Sequence, residues 1–121
     1  MAGQSALCPA RYPLGGEIEV MVIAVFRSRL RSEHADEFQS LADRMLQIAQ
    51  SMPGFISYKV YAATDGERCS VIEFESPELL RAWREHPEHR AAQRLGRERF
   101  YEEFTLQISE PARESRFKRS P

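Results

Sequence analysis

From residue 20 onward apolar side chains fill both alternating sets of positions. Val20, Val22, Ala24 and Phe26 make one set, and Met21, Ile23 and Val25 the other. A strand apolar on both sides is covered on both faces, so residues 20–30 are expected as a first strand. The period then changes: Ala35, Phe38, Leu41, Ala42, Met45, Ile48 and Ala49 recur at helical spacing. That pattern predicts an amphipathic helix of about five turns. Ser32 is its expected N-cap, with Glu33, His34 and Asp36 in the first turn and Pro53-Gly54 at its end. Residues 55–63 and 68–75 read as two further strands joined by the turn Thr64-Asp65-Gly66-Glu67, an antiparallel hairpin. Ser76-Pro77 opens a second helix, serine as cap and proline at the first helical position. Leu79, Leu80 and Trp83 supply its apolar face. His86-Pro87 breaks and restarts it through Ala91, Ala92 and Leu95 to Gly96, and residues 100–108 form the last strand.

This order, β-α-β-β-α-β, is the split βαβ arrangement of an α+β, ferredoxin-like domain over residues 20–110. Helices cover one face of such a sheet. Because the strands are apolar on both faces, the second face calls for another cover, which a second copy supplies as an isologous homodimer. Residues 1–19, with Pro9, Pro13 and Gly15-Gly16, have no periodic pattern and read as a flexible arm. Met21 at the head of the strand is then a candidate start of translation, which intact mass from the native host would decide. Residues 111–121 mix Arg113, Glu114, Arg116, Lys118 and Arg119 with little to bury, and are expected to be a disordered charged tail.

Composition narrows the function classes. A length of 121 residues leaves room for one domain, and 42% hydrophobic content with 10% aromatics is enough for a core. Seventeen basic against eighteen acidic residues give a net charge of −1, which argues against a nucleic-acid partner. No apolar run reaches membrane-spanning length, so no membrane partner is expected. Residues 1–19 also lack the basic and apolar regions of a secretory leader. Cys8 and Cys69 suggest neither a disulfide framework nor a metal motif, so the expectation is a cytoplasmic protein with no bound metal.

Four segments sit at the junctions of these elements: Met52-Pro53-Gly54-Phe55, Phe74-Glu75-Ser76-Pro77-Glu78, the run Ala82-Trp83-Arg84-Glu85-His86-Pro87-Glu88-His89-Arg90-Ala91-Ala92, and Phe100-Tyr101. In their order and spacing they closely resemble the antibiotic biosynthesis monooxygenase superfamily across residues 22–110. The resemblance implies a dimeric α+β barrel. It also implies one of several activities, among them cofactor-independent oxygenation of aromatic phenols and quinols, and haem degradation. The haem-degrading branch uses an Asn near the end of strand one, a Trp in helix two and a His in an Ala-Ala-His context. Trp83 is present, but the strand-one position falls at or near Phe26, the chain contains no Asn, and the third motif reads Ala91-Ala92-Gln93. Haem degradation is therefore disfavoured.

The cofactor-independent oxygenases hold a phenol or hydroquinone in an apolar pocket and assist loss of its proton. The electron-rich anion then reacts with dioxygen without metal or flavin. A His with a pKa near neutrality suits that task, and His89 is the candidate proton acceptor, with His86 close by. Trp83 offers a flat surface for a planar ring, and Phe26, Tyr58 and Glu73 are candidate pocket residues. Each has a plainer role open to it. Trp83 has the spacing of a core residue, and His86 precedes a proline where a cap or hinge is common. Glu73 is either a buried base or a rim partner for Arg27 or Lys59. Cys69 reads as a small core residue, and the arginines at 90, 94, 97 and 99, interleaved with glutamates, as a solvated helix face. The competing function is a non-catalytic small-molecule-binding dimer of the same fold.

Overall fold

The structure is a computed structural model and describes residues 20–120. The arm at 1–19, with Cys8 in it, lies outside the described residues. The chain runs β1 (Val22–Leu30), α1 (Ala35–Ser51), β2 (Phe55–Ala62), β3 (Arg68–Phe74), α2 (Pro77–Arg84), α3 (Pro87–Leu95), a π-helical turn (Gly96–Phe100) and β4 (Tyr101–Ser109). Its four strands form one antiparallel sheet in the order β2-β3-β1-β4, with every neighbouring pair antiparallel. This is the ferredoxin-like α+β fold.

Local chemistry explains most boundaries. Ser76 caps α2 by accepting the Leu79 N–H at 3.2 Å, and Pro77 follows at the first helical position. Pro87 cannot continue α2 and instead opens α3, where the His86 side chain serves as the cap. Gly66 holds φ at 93° in the β2–β3 turn, a conformation that costs other residues about 1 kcal/mol or more. Gly54, at φ 83°, joins α1 to β2 where a β-carbon would fall 2.3 Å from Leu79 Cδ1. No side chain fits there unless α2 moves.

Two junctions differ from the sequence expectation. Ser32 does not cap α1. The Arg31 N–H is bonded to the Phe100 carbonyl at 2.8 Å, which keeps the chain tied to the sheet edge. The helix opens only at Ala35, after His34 turns through φ 64° and makes no side-chain cap bond. At the other junction Phe100 is not the first strand residue. It closes the π-helical turn, 2% exposed, with its ring 5.6 Å from that of Phe38. Gly96 admits this turn because the Tyr101 ring occupies the place of its missing β-carbon.

The core lies entirely between helices and sheet. Val22, Ala24, Ile72 and Phe74 from the strands meet Met45, Ile48, Leu80 and Trp83 from the helices, all buried. Each such large side chain contributes roughly 1.5–3 kcal/mol. The opposite face carries Ile23, Val25 and Val71 at the centre of the sheet, all only half-buried, and among the described residues no helix or strand covers it. Cys69 stands on that face, half-buried, and not in the core. Beyond β4, residues 110–120 contain no helix or strand, and Phe117 is 81% exposed. Among the described residues no helix is long and apolar enough to cross a membrane.

Candidate active site

A cavity of about 160 Å³ opens between the helix layer and the sheet. Ala24 and Phe26 of β1, Tyr58 of β2 and Ser70 and Ile72 of β3 form its floor. Met45 of α1, Trp83 of α2 and His89 and Ala92 of α3 close it from above, and Tyr101, Phe104 and Leu106 wall the β4 side. The period of two places the floor residues together. Phe26 pairs with Ser70 and Leu106, and Ala24 with Ile72, so alternate residues of three strands face the helices.

Trp83 is both core and wall. It is 4% exposed, its Nε1–H donates to the Met45 carbonyl at 3.3 Å, and its ring stacks on Phe74 at 5.8 Å. His89 lies against it, ring centroids 4.2 Å apart. The break at His86-Pro87 makes this contact possible: α3 restarts in a new direction, and His89 comes back over the end of α2. His89 Nδ1 lies 3.0 Å from the Trp83 carbonyl, and that oxygen can only accept, so Nδ1 carries the proton. Nε2 is thereby left as a bare acceptor. Burial holds the imidazole well below its usual range, at about 4, with the Arg84 and His86 charges adding to the depression against the opposing Trp83 hydrogen bond. At neutral pH His89 is uncharged.

On the sheet side, burial raises the Tyr58 hydroxyl above its ordinary value, opposed by the Arg68 charge and a hydrogen bond with Ser70. Tyr101 is pushed up to about 12 by burial and by its neighbour Tyr58, again with Arg68 opposing. Both phenols are therefore neutral donors. Arg68 lies over the Phe38 ring at 4.9 Å. Arg97 lies over Phe104 at 5.4 Å. Among the described residues no group of three His, Cys, Asp or Glu side chains is placed to hold a metal ion.

Of the residues singled out from the sequence, Phe26, Tyr58, Trp83 and His89 all line this cavity. His86 does not. Its Nδ1 accepts the Glu88 N–H at 3.1 Å, which makes it the cap of α3. Glu73 does not either: it faces the uncovered side of the sheet and accepts from Ser57 Oγ at 2.6 Å. Nor does it pair with Arg27, whose partner is Glu67 at 3.1 Å. The even count from Tyr58 and Ile72 to the floor is odd for Glu73, and that parity excludes it. The solvated-arginine expectation holds for Arg90, Arg94 and Arg97, all exposed, although Arg97 also borders the cavity. Arg99 is tied to Glu37 at 2.8 Å. Arg68, Arg84 and Tyr101 are cavity residues that pattern reading missed. Strand parity with Ser70 and Ile72 would have found Arg68. Nothing local marks the other two.

Residues 21–95 match the sequence profile described as antibiotic biosynthesis monooxygenase. The chain is also 31% identical over 94 residues to YqjZ of Bacillus subtilis, an uncharacterized protein, covering 78% of this chain and 82% of that one. The chain belongs to the antibiotic biosynthesis monooxygenase family. Solved structures share its fold. Rv0793 from Mycobacterium tuberculosis superposes with a TM-score of 0.70 at 21% identity, over 79% of this chain and 99% of that one. SnoaB from Streptomyces nogalater, a cofactor-independent oxygenase, superposes with a TM-score of 0.66 at 17% identity, over 79% and 96% respectively.

Proposed function

We propose that this protein is a monooxygenase-type oxidoreductase acting on a small aromatic phenol or quinol with dioxygen and no bound cofactor. The observation that carries this proposal is His89, packed at a tilt against Trp83 inside an aromatic cavity, with Nε2 lacking a hydrogen-bond partner among the described residues. A substrate hydroxyl entering beside Trp83 donates to Nε2. With an imidazolium near 4, His89 alone is too weak to deprotonate a phenol of pKa about 10. The transfer becomes feasible because both new charges are stabilised at once: phenolate raises the imidazolium pKa, and Arg84, whose charge is felt at His89, favours the phenolate. The phenolate supplies electrons to dioxygen. One oxygen atom enters the ring, the other leaves as water, and the product is a quinone. His89 is thus a hydrogen-bonded acceptor that needs its arginine, and not the neutral-pH base expected from sequence.

Size favours a single ring. A cavity of about 150 Å³ holds benzene, and the cavity here is about 160 Å³. A porphyrin does not fit that space. Gln93, standing where the haem branch has histidine, also spends its side chain on the Arg84 carbonyl at 3.2 Å.

The test is oxygen uptake across a panel of one-ring hydroquinones. Turnover is expected, with a loss of about a hundredfold in His89→Ala, the usual range for removing a proton acceptor. Unchanged turnover in that variant would sink the assignment. Haemin is expected to give no Soret shift. The low basicity of His89 favours one competing possibility, a non-catalytic binding protein, for which the same panel would bind without consuming oxygen.

A further inference from the structure

Three arginines, Arg68, Arg84 and Arg97, line the cavity, and no aspartate or glutamate does. Among the described residues none of the three has an ion-pair partner. Elsewhere guanidinium groups find carboxylates readily: Arg29 with Asp65 at 2.8 Å, Arg44 with Glu88 at 2.8 Å and Arg99 with Glu37 at 2.8 Å. Arg81 and Arg94 also lack one, but both are exposed to water and have little need of it. Arg68 is different. It is half-buried, its guanidinium packs on Phe38 at 4.9 Å, and the Phe38 ring lies 5.9 Å from that of Tyr101. Ser70, two residues along the same face of β3, is buried and hydrogen-bonded with Tyr58. One arginine and two tyrosines that stay neutral therefore share one region of the cavity wall. A half-buried cation without a counter-ion is an expensive arrangement unless an anion completes it. A planar guanidinium matches a carboxylate in two parallel hydrogen bonds, and neutral phenol O–H groups can only strengthen an anion's hold there.

We propose that the cavity receives a one-ring aromatic acid, its carboxylate held by Arg68 in the region walled by Tyr58 and Tyr101. The ring then lies among Phe26, Phe104 and Trp83, and a ring hydroxyl reaches His89. This names the substrate class of the site described above and rests on that functional reading, but it concerns binding and is tested without turnover. The other aromatic walls fix ring plane and size. Arg68 fixes which ring substituent is admitted, and so acts as a specificity-determining residue.

The experiment is calorimetric titration under anaerobic conditions with dihydroxybenzoate and with its methyl ester, which keeps the ring and hydroxyls but carries no charge. The acid is expected to bind about tenfold tighter or better, as a charge-assisted hydrogen-bonded pair would give. Arg68→Gln should erase that preference, bringing the acid and the ester to equal affinity. Arg68→Lys, charged but unable to grip with a fork, should fall between. Equal affinities for acid and ester in the native protein would overturn the proposal before any variant is made. So would a preference that survives in Arg68→Gln, or no binding of either ligand. Oxygen uptake measured separately distinguishes the two levels. Absence of uptake with a bound acid removes the oxygenase and leaves the binding site.

Discussion

His89 shows how one side chain's surroundings reset its chemistry. Free imidazole titrates at 6.5, whereas burial beside Trp83 brings His89 to about 4. Between those values the unfolded chain takes up a proton that the folded protein refuses. Stability therefore rises with pH from 4 to 6.5 through this residue and is lost again on acidification. The contribution is on the order of 3 kcal/mol. Urea unfolding across that window should show a shallower pH dependence in His89→Gln than in the native protein. An unaltered slope would mean that the folded imidazole titrates normally. His86, three residues away, has a different environment: it faces the helix break, half-exposed, and its lone pair is already spent on the Glu88 N–H.

Elements are positioned by a few small residues at their ends. Gly54 and Gly66 both have positive φ, at 83° and 93°, but only Gly54 is also crowded, by Leu79 of α2. Gly66→Ala should cost about 1 kcal/mol for backbone strain alone. Gly54→Ala should cost roughly 2–4 kcal/mol, because the new methyl must displace α2 as well. Chemical denaturation of the two variants measures the gap, and equal losses would show that α2 yields freely. Since α2 carries Trp83, Gly54→Ala should also disturb the cavity. Caps and turns of this kind were legible in the chain: Ser76-Pro77, Pro87 and the 64–67 turn all sit as their residue types dictate. The start of α1 was not, because Ser32 is an acceptable cap whose use is forbidden only by a sheet bond from Arg31 to a residue far along the chain.

At the level of the whole molecule, no described helix or strand of a single copy covers the face bearing Ile23, Val25, Val71 and Cys69. A second copy packed sheet to sheet is the proposed cover, which makes a dimer of 14.0 kDa chains. Light scattering should give about twice the chain mass, and Val71→Lys, which puts a charge at the centre of that face, should halve it. A native protein that runs at 14.0 kDa would remove the dimer. Because the cavity lies on the helix side of the sheet, Val71→Lys also separates assembly from ligand binding: a folded monomer should still distinguish acid from ester.

The alternation of β1, the helical period of α1 and the punctuation at Pro53-Gly54 and Ser76-Pro77 determined the elements, their order and the family. Those features act over a few residues, where backbone geometry and burial leave little choice. Trp83, His89, Tyr58 and Phe26 could be named as candidates because helix and strand periodicity puts them on inward faces. Only the tertiary structure decided which candidates meet. It turned Glu73 to the far side of the sheet, reduced His86 to a cap, and drew Arg68, Arg84 and Arg97 around one cavity from three distant segments. Charge placement of that kind depends on where elements cross, which no local pattern records. Here it sets His89, the base expected from sequence, in a buried place beside the Arg84 charge, where its imidazole is uncharged at neutral pH.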